Sequence, residues 1–83
     1  MDEQRRAPRR RVLKGGQIVF NGGASVIDCT MRDLSETGAK LKVASPIGVP
    51  ERFILFVGDE PGREARVVWR GPREIGVMFP EAQ

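Results

Sequence analysis

Two groups of polar residues in this chain of 83 residues have the types and spacing to bind an anionic ligand. The first is an N-terminal run of arginines, in which Arg5 and Arg9, and also Arg6 and Arg10, lie four positions apart. Side chains four positions apart in an extended chain point to the same side, so two guanidinium groups can converge on one ligand. Each can bind a phosphate, bond the O6/N7 edge of a guanine, or stack on a base. A solvated basic tail or a nonspecific nucleic-acid arm would have the same composition.

The second group is the segment Asp33-Leu34-Ser35-Glu36-Thr37-Gly38, a D-x-S-x-x-G between two strand-like stretches. The Asp33 carboxylate can accept hydrogen bonds from the N1–H and N2–H₂ donors of a guanine, and Ser35 adds a hydroxyl. Gly38 has no side chain, so another group can approach its backbone closely. The alternative interpretation is a turn in which Asp33 and Ser35 bond local backbone amides.

The basic character of the chain is concentrated at the N-terminus. Residues 1–14 contain five Arg and one Lys against two acidic residues, a net charge of +4, whereas the remaining residues carry a net charge of −1. This asymmetry favours an anionic partner bound by the tail over a broad nucleic-acid-binding surface, and we expect no DNA or RNA partner.

Several classes of chemistry are excluded by composition. Cys29 is the single cysteine and there is no histidine, which excludes a disulfide framework, a Cys/His zinc site and a Ser-His or Cys-His nucleophilic pair. No acid–base pair, metal cluster or phosphate-binding P-loop is recognisable, so the sequence predicts no enzyme, no metal and no cofactor. No apolar run approaches the ~20 residues of a membrane span, and we expect a protein of the reducing cytoplasm.

Six short segments have strand-like patterns separated by turn residues. The predicted strands are Val12–Phe20, Val26–Arg32, Ala39–Val43, Arg52–Val57, Glu64–Arg70 and Glu74–Phe79. Asn21-Gly22-Gly23 predicts a hairpin, and Gly15-Gly16 predicts a bulge. The fold class is therefore all-β, and six short strands in so small a chain favour a closed antiparallel barrel. We divide the chain into a flexible Arg-rich arm, residues 1–11, and a barrel domain, residues 12–80.

Alternation along the strands predicts which side chains face the core. Ile27, Cys29 and Met31 share one face of the second strand, and we expect Cys29 to pack in the core. The fourth strand is too apolar for clean alternation, which suggests central burial. In the fifth strand, alternation predicts two faces. One face carries Ala65, Val67 and Trp69, and the other face carries Arg66, Val68 and Arg70.

The order of these motifs along the chain resembles the PilZ domain family, the cyclic di-GMP receptors of bacteria. The resemblance extends over nearly the whole chain. It rests on the R-x-x-x-R arm, the D-x-S-x-x-G segment, and two C-terminal segments, Arg66-Val67-Val68-Trp69-Arg70 and Glu74-Ile75-Gly76-Val77-Met78-Phe79. Each of these four motifs alone has low specificity, but their occurrence together in this order is specific.

The resemblance implies a six-stranded barrel whose arm folds over one face when ligand binds. Arg5 and Arg9 would then grip the phosphates and guanines of cyclic di-GMP. Arg6 and Arg10 satisfy the same spacing, and Pro8 immediately before Arg9 favours the first pair. Unlike many family members, the chain ends close to the end of its sixth strand, so little or no C-terminal helix is expected.

On the barrel, the resemblance implies that Asp33, Ser35 and Gly38 hold a guanine and the ligand backbone. Trp69 and Arg70 are candidates for the rim of the site. Because no output domain is recognisable, the signal is expected to pass to a separate protein partner. Two alternatives stay open: an adaptor of the same fold that binds protein instead of nucleotide, and a small nucleic-acid-binding barrel.

Overall fold

The computed structural model describes the backbone of residues 10–82 and the side chains of residues 13–81. Its strands are β1 (Arg10–Phe20), β2 (Ser25–Leu34), β3 (Gly38–Lys42), β4 (Arg52–Val57), β5 (Arg63–Arg70) and β6 (Glu74–Met78). Two single 3-10 turns, Asn21–Gly23 and Pro80–Ala82, are the only helical elements in this part of the chain. The predicted all-β class is confirmed, including the near absence of helix after the last strand.

The six strands close into one antiparallel barrel in the order β1-β2-β3-β6-β5-β4. Four neighbouring pairs, β1–β2, β2–β3, β4–β5 and β5–β6, are consecutive strands joined through short connections. Two further pairs, β1–β4 and β3–β6, join strands far apart in sequence and close the barrel. The predicted six-stranded antiparallel barrel is therefore confirmed. The predicted flexible arm falls mostly outside the described residues, and β1 begins at Arg10 instead of Val12.

The predicted hairpin between the first two strands is present and has a left-handed backbone. Asn21, Gly22 and Gly23 have φ angles of 56°, 66° and 98°. Glycine adopts these angles without steric cost and asparagine tolerates them better than most residues, which is why this tripeptide can reverse the chain here.

The core lies inside the barrel and is formed by the inward side chains of all six strands and the loop before β4. Its largest fully buried side chains are Ile18, Leu41, Ile75 and Phe79. Cys29 and Met31 are buried as predicted. Within residues 10–82, no helix is long and apolar enough to cross a membrane.

The prediction that β4 is too apolar to alternate cleanly is wrong. Phe53, Leu55 and Val57 point inward, whereas Ile54 and Phe56 point outward and are each 39% exposed. A barrel wall is a single sheet, so each strand has one face toward the core and one toward the outside. The outward apolar pair packs over Gly62, where an added Cβ would lie within 2.9 Å of both side chains.

The predicted bulge at Gly15-Gly16 is also wrong. Both glycines continue the ladder with β2, and the irregularity in β1 lies between Arg11 and Lys14. Gly16 instead permits close packing of β1 on β4, because a Cβ there would lie 2.9 Å from the Phe56 carbonyl oxygen. Two more bulges occur, each with one extra residue: Arg32 in β2 opposite β3, and Val68 in β5 opposite β6.

Candidate functional site

Asp33 lies on the outer wall of the barrel because of the bulge at Arg32. Met31 points inward, and simple alternation would turn Asp33 inward as well. The extra residue at Arg32 shifts the register, so that Asp33 pairs directly with Lys40 of β3. The Asp33 Oδ2 and Lys40 Nζ atoms are 3.6 Å apart, with side-chain exposures of 20% and 34%. The carboxylate is therefore held on the surface beside a cation.

Ser35 organises the turn that follows Asp33. Its hydroxyl oxygen accepts hydrogen bonds from the backbone N–H groups of Thr37, at 3.3 Å, and Gly38, at 3.2 Å. Its own N–H donates to the Gly38 carbonyl at 2.9 Å. Ser35 thus bonds local backbone amides, as the alternative interpretation of a simple turn predicts. Asp33 does not, because its carboxylate pairs with the Lys40 side chain across the sheet. The turn holds Ser35 and Gly38 in a fixed relation to each other.

Gly38 admits the backbone of β6. A Cβ at this position would lie well inside contact distance of the Val77 carbonyl oxygen. Gly38 pairs with Met78, and Thr37 accepts a hydrogen bond from the Phe79 N–H at 2.9 Å. The sequence predicted that some group approaches the Gly38 backbone closely. In the described structure that group is the backbone of β6, which holds the turn against the barrel.

Trp69 also lies on the outer wall, and its predicted place on the face of Ala65 and Val67 is wrong. The extra residue at Val68 turns Trp69 outward, directly opposite Gly76 of β6. The indole covers Gly76 so closely that no Cβ could fit beneath it, and the side chain remains 45% exposed. A flat aromatic surface is therefore available on the outside of the barrel.

These residues form one row across four adjacent strands. Asp33 pairs with Lys40, Lys40 with Gly76, and Gly76 with Trp69. Three members of this row, Lys40, Gly76 and Trp69, line a groove of about 460 Å³ together with residues of the Ser35–Gly38 turn, whereas Asp33 does not line it and lies beside Lys40. Its lining residues are Ser35, Thr37, Gly38, Ala39, Lys40, Val68, Trp69, Gly76, Val77 and Met78. The groove therefore offers a hydroxyl, an ammonium group and an aromatic face, with a carboxylate beside the ammonium.

Two residues of this arrangement were missed at the level of sequence. Lys40 is not a candidate in the sequence, because its pairing with Asp33 depends on strand register. Gly76 had a detectable signal, because a glycine inside a strand often marks the close approach of another group. Arg70, a predicted rim residue, does not line the groove; its Nη1 donates to the Pro46 carbonyl at 3.0 Å.

The arginine-rich segment joins the barrel beside the D-x-S-x-x-G segment. The backbone of Arg10 lies opposite Leu34, and that of Arg11 lies opposite Asp33. The predicted ligand-binding residues Arg5, Arg6 and Arg9 lie outside the described residues, and for Arg10 only the backbone is described. The chain thus enters β1 at the same end of the sheet as the Ser35–Gly38 turn.

Cys29 does not contribute a reactive group to this wall. Its side chain is buried, and burial, with a smaller contribution from the nearby Asp28 carboxylate, raises the pKa of the thiol from 9.0 to about 11. Among the residues that the structure describes, no group of three or more His, Cys, Asp or Glu side chains could hold a metal ion.

Comparisons with known proteins agree with this architecture. The family model described as PilZ domain matches residues 3–83. Among solved structures, the chain is similar to the crystal structure of the PilZ domain of CeSA from a cellulose-synthesizing bacterium, with a TM-score of 0.67 and 18% sequence identity. That match covers 87% of this chain and 79% of the other, and at this identity it shows the fold alone. No curated protein matches the chain.

Proposed function

This chain belongs to the PilZ domain family, and on that premise we propose that it is a receptor module for cyclic di-GMP. PilZ domains are generally receptors for this dinucleotide and act as binding domains without catalytic chemistry. The observation that carries the proposal is the convergence of two motifs: the backbones of Arg10 and Arg11 pair with Leu34 and Asp33, immediately before the Ser35–Gly38 turn that lines the groove.

The groups that line the groove, and the Asp33 carboxylate beside Lys40, support the proposal. A guanine presents N1–H and N2–H₂ donors that suit the Asp33 carboxylate, and its ring has the shape to stack on the exposed Trp69 indole. Lys40 stands between these two side chains in the row, where its ammonium group favours an anionic ligand. The fixed Ser35–Gly38 turn adds a hydroxyl oxygen at one end.

The phosphates are assigned to the arginine pair. Arg9 precedes the first described strand residue by one position, and Arg5 by five. At ~3.5 Å per extended residue, both guanidinium groups are within reach of a ligand in the groove. Arg5 and Arg9 are the proposed pair, with Arg6 and Arg10 as the alternative of equal spacing. Charge-assisted bonds from arginine to phosphate are among the stronger hydrogen bonds in proteins.

Signalling would follow from ordering the arm on the ligand. Fixing the backbone of a residue costs roughly 1–2 kcal/mol, which ligand bonds must offset. Ligand binding would therefore convert the arm to an ordered cover over the groove, a surface that a downstream protein partner can recognise. In this proposal the protein acts in the bacterial cytoplasm, performs no catalysis and needs no cofactor.

A second candidate function is an adaptor that binds protein without nucleotide. The outward apolar side chains of β4, Ile54 and Phe56, favour it, because they give the opposite part of the barrel wall an apolar surface. Partner binding that is unchanged by cyclic di-GMP would support the adaptor.

The proposal is tested by calorimetric titration with cyclic di-GMP at physiological salt, with GTP as the control ligand. We expect saturable heat with cyclic di-GMP alone and quenching of the fluorescence of Trp69. The stoichiometry distinguishes a single ligand from a stacked pair. Absence of both heat and quenching at high ligand concentration would reject the receptor function.

Matched variants identify the groups that bind. Asp33→Asn should weaken binding about tenfold or more, because one acceptor oxygen and the charge are lost. Asp28→Asn, an equal change at an exposed position of the same strand, should leave affinity unchanged. Alanine variants of Arg5, Arg9, Arg6 and Arg10 identify the pair. Full affinity in both Arg5→Ala and Arg9→Ala would reject that pair.

A further inference from the structure

Two arginines face each other on the outer wall of the barrel, on strands β4 and β5. Arg52 pairs directly with Arg66, and both side chains point outward from the core positions Phe53 and Ala65 beside them. Directly opposed residues have Cβ atoms about 5 Å apart, and like charges in this position destabilise a sheet. An anion between the two guanidinium groups would relieve this repulsion.

The described part of the chain supplies no such anion. The ion pairs found there are Arg32 with Glu74 and Lys40 with Asp33, and neither includes Arg52 or Arg66. Glu64 lies two positions before Arg66 on the same face of β5, yet its carboxylate forms no ion pair with that arginine. The two positive charges thus stand without a described carboxylate partner.

The Arg66 side chain has a further unsatisfied group. Its Nε atom is buried and has no hydrogen-bond acceptor among the described residues. A buried donor on a charged group without a partner is costly, and most such groups in folded proteins are satisfied. Rotation of the guanidinium group outward onto a bound anion would give the Nε–H an acceptor and would also relieve the repulsion from Arg52.

The pair adjoins the groove without lining it, because Arg66 pairs with Met78, which does line it. Arg66 pairs with Met78, and Met78 with Gly38, so Arg66 is two strands from the Ser35–Gly38 turn. With strands ~4.8 Å apart, the separation is roughly 10 Å. Neither arginine lines the groove. An anion held by this pair would therefore be additional to a ligand held in the groove.

We propose that Arg52 and Arg66 form an anion site for a phosphate monoester. Two guanidinium groups carry two positive charges and a fork of donors each. A phosphate monoester carries a charge of about −1.5 to −2 and three acceptor oxygens, which suits both forks. A carboxylate or a phosphodiester carries one negative charge and leaves one guanidinium uncompensated. The phosphate comes either from a free small molecule or from a phosphorylated side chain of a protein partner.

The test follows the arginine Nε–H resonances by NMR during titration of the full chain with inorganic phosphate, and with sodium chloride at equal ionic strength. We expect a saturable shift of the Arg66 Nε–H with phosphate only. Arg52→Gln and Arg66→Gln should each weaken phosphate binding about tenfold or more, the equivalent of one charge-assisted hydrogen bond. Arg66→Lys keeps the positive charge but lacks the planar set of guanidinium N–H donors, so it should also weaken phosphate binding.

Arg73→Gln is the matched control, because it removes the same charge at an exposed position in the β5–β6 turn. Equal weakening by Arg73→Gln, an equal shift with chloride, or no saturable shift with phosphate would overturn the proposal. Thermal unfolding of each variant shows that it is folded.

A peptide containing phosphoserine, with its unphosphorylated form as control, separates the two sources. Tighter binding of the phosphopeptide than of inorganic phosphate would support the site and identify a phosphorylated partner, whereas equal or weaker binding would support the site and identify a free phosphate. No cyclic dinucleotide is present in these assays, so their outcome is independent of the proposed receptor function.

Discussion

At the residue scale, Gly38 shows how one position can serve both fold and site. The D-x-S-x-x-G pattern indicated a ligand contact, and the structure shows that the absent side chain also lets the Val77 carbonyl approach. Ser35 also has two roles. Its hydroxyl oxygen accepts hydrogen bonds from two backbone N–H groups of the turn, and the same side chain lines the groove. Substitutions in this turn will therefore change stability, and under the proposed function we expect them to change ligand binding as well.

Replacing Gly38 with alanine should destabilise the barrel by about 2 kcal/mol, because the new methyl group displaces the backbone of β6. Chemical denaturation measures the change. Gly15→Ala is the matched control, since a Cβ there meets no atom within 4 Å, and we expect a change close to zero or slightly stabilising. Equal stability of Gly38→Ala and the wild type would contradict the close approach.

The buried Cys29 thiol should react slowly with thiol reagents at neutral pH, because burial raises its pKa to about 11. Its unfolded-state pKa is 9.0, so the protonated thiol contributes stability below pH 9, and this contribution is lost as the pH rises toward 11. The free energy of unfolding, measured by chemical denaturation at pH 8 and pH 10.5 for the wild type and for the control variant Cys29→Ala, gives the size of this contribution. A wild type and variant with identical pH dependence would contradict this assignment.

At the element scale, two bulges decide which residues reach the outer wall. The extra residue at Arg32 turns Asp33 outward, and the extra residue at Val68 does the same for Trp69. Strict alternation placed Trp69 on the wrong face because a bulge depends on the partner strand and leaves no period in its own sequence. Lys40 and Gly76 were missed for a related reason, since the row that contains them depends on cross-strand register.

Gly76→Ala should push the Trp69 indole off the sheet, because no methyl group fits beneath the ring. Trp69 is the only tryptophan, so its fluorescence reports this directly. We expect emission at longer wavelength and stronger quenching by acrylamide. Gly71→Ala is the control, since its Cβ would meet the indole at an ordinary 3.5 Å. Unchanged emission in Gly76→Ala would show that the ring does not rest on this glycine.

At the scale of the whole molecule, the sequence predicted the class and the number of strands better than their arrangement. Turn residues and short apolar patterns located all six strands, and the hairpin at Asn21–Gly23 was correct. The order β1-β2-β3-β6-β5-β4 was not predicted, because the pairs β3–β6 and β1–β4 join distant segments. Local patterns also could not show that β4 is exposed on one side.

The barrel has a single core, so truncation of a central side chain should lower the stability of the whole domain. Leu41→Ala should reduce the free energy of unfolding by about 2–5 kcal/mol and retain one cooperative transition. The control is Ile47→Ala, an apolar truncation at a side chain 87% exposed, which we expect to change stability by about 0.5 kcal/mol or less. Two separate transitions in Leu41→Ala would argue against a single core.

Closure of the barrel also sets how fast the chain can fold. The pairs Gly16 with Val57 and Gly38 with Met78 each join residues about forty positions apart, and both must form before the wall is continuous. Ordering such long loops costs entropy before the contacts compensate for it, so domains rich in distant strand pairs fold in milliseconds to seconds. We therefore expect this small domain to fold far more slowly than a helical bundle of equal length.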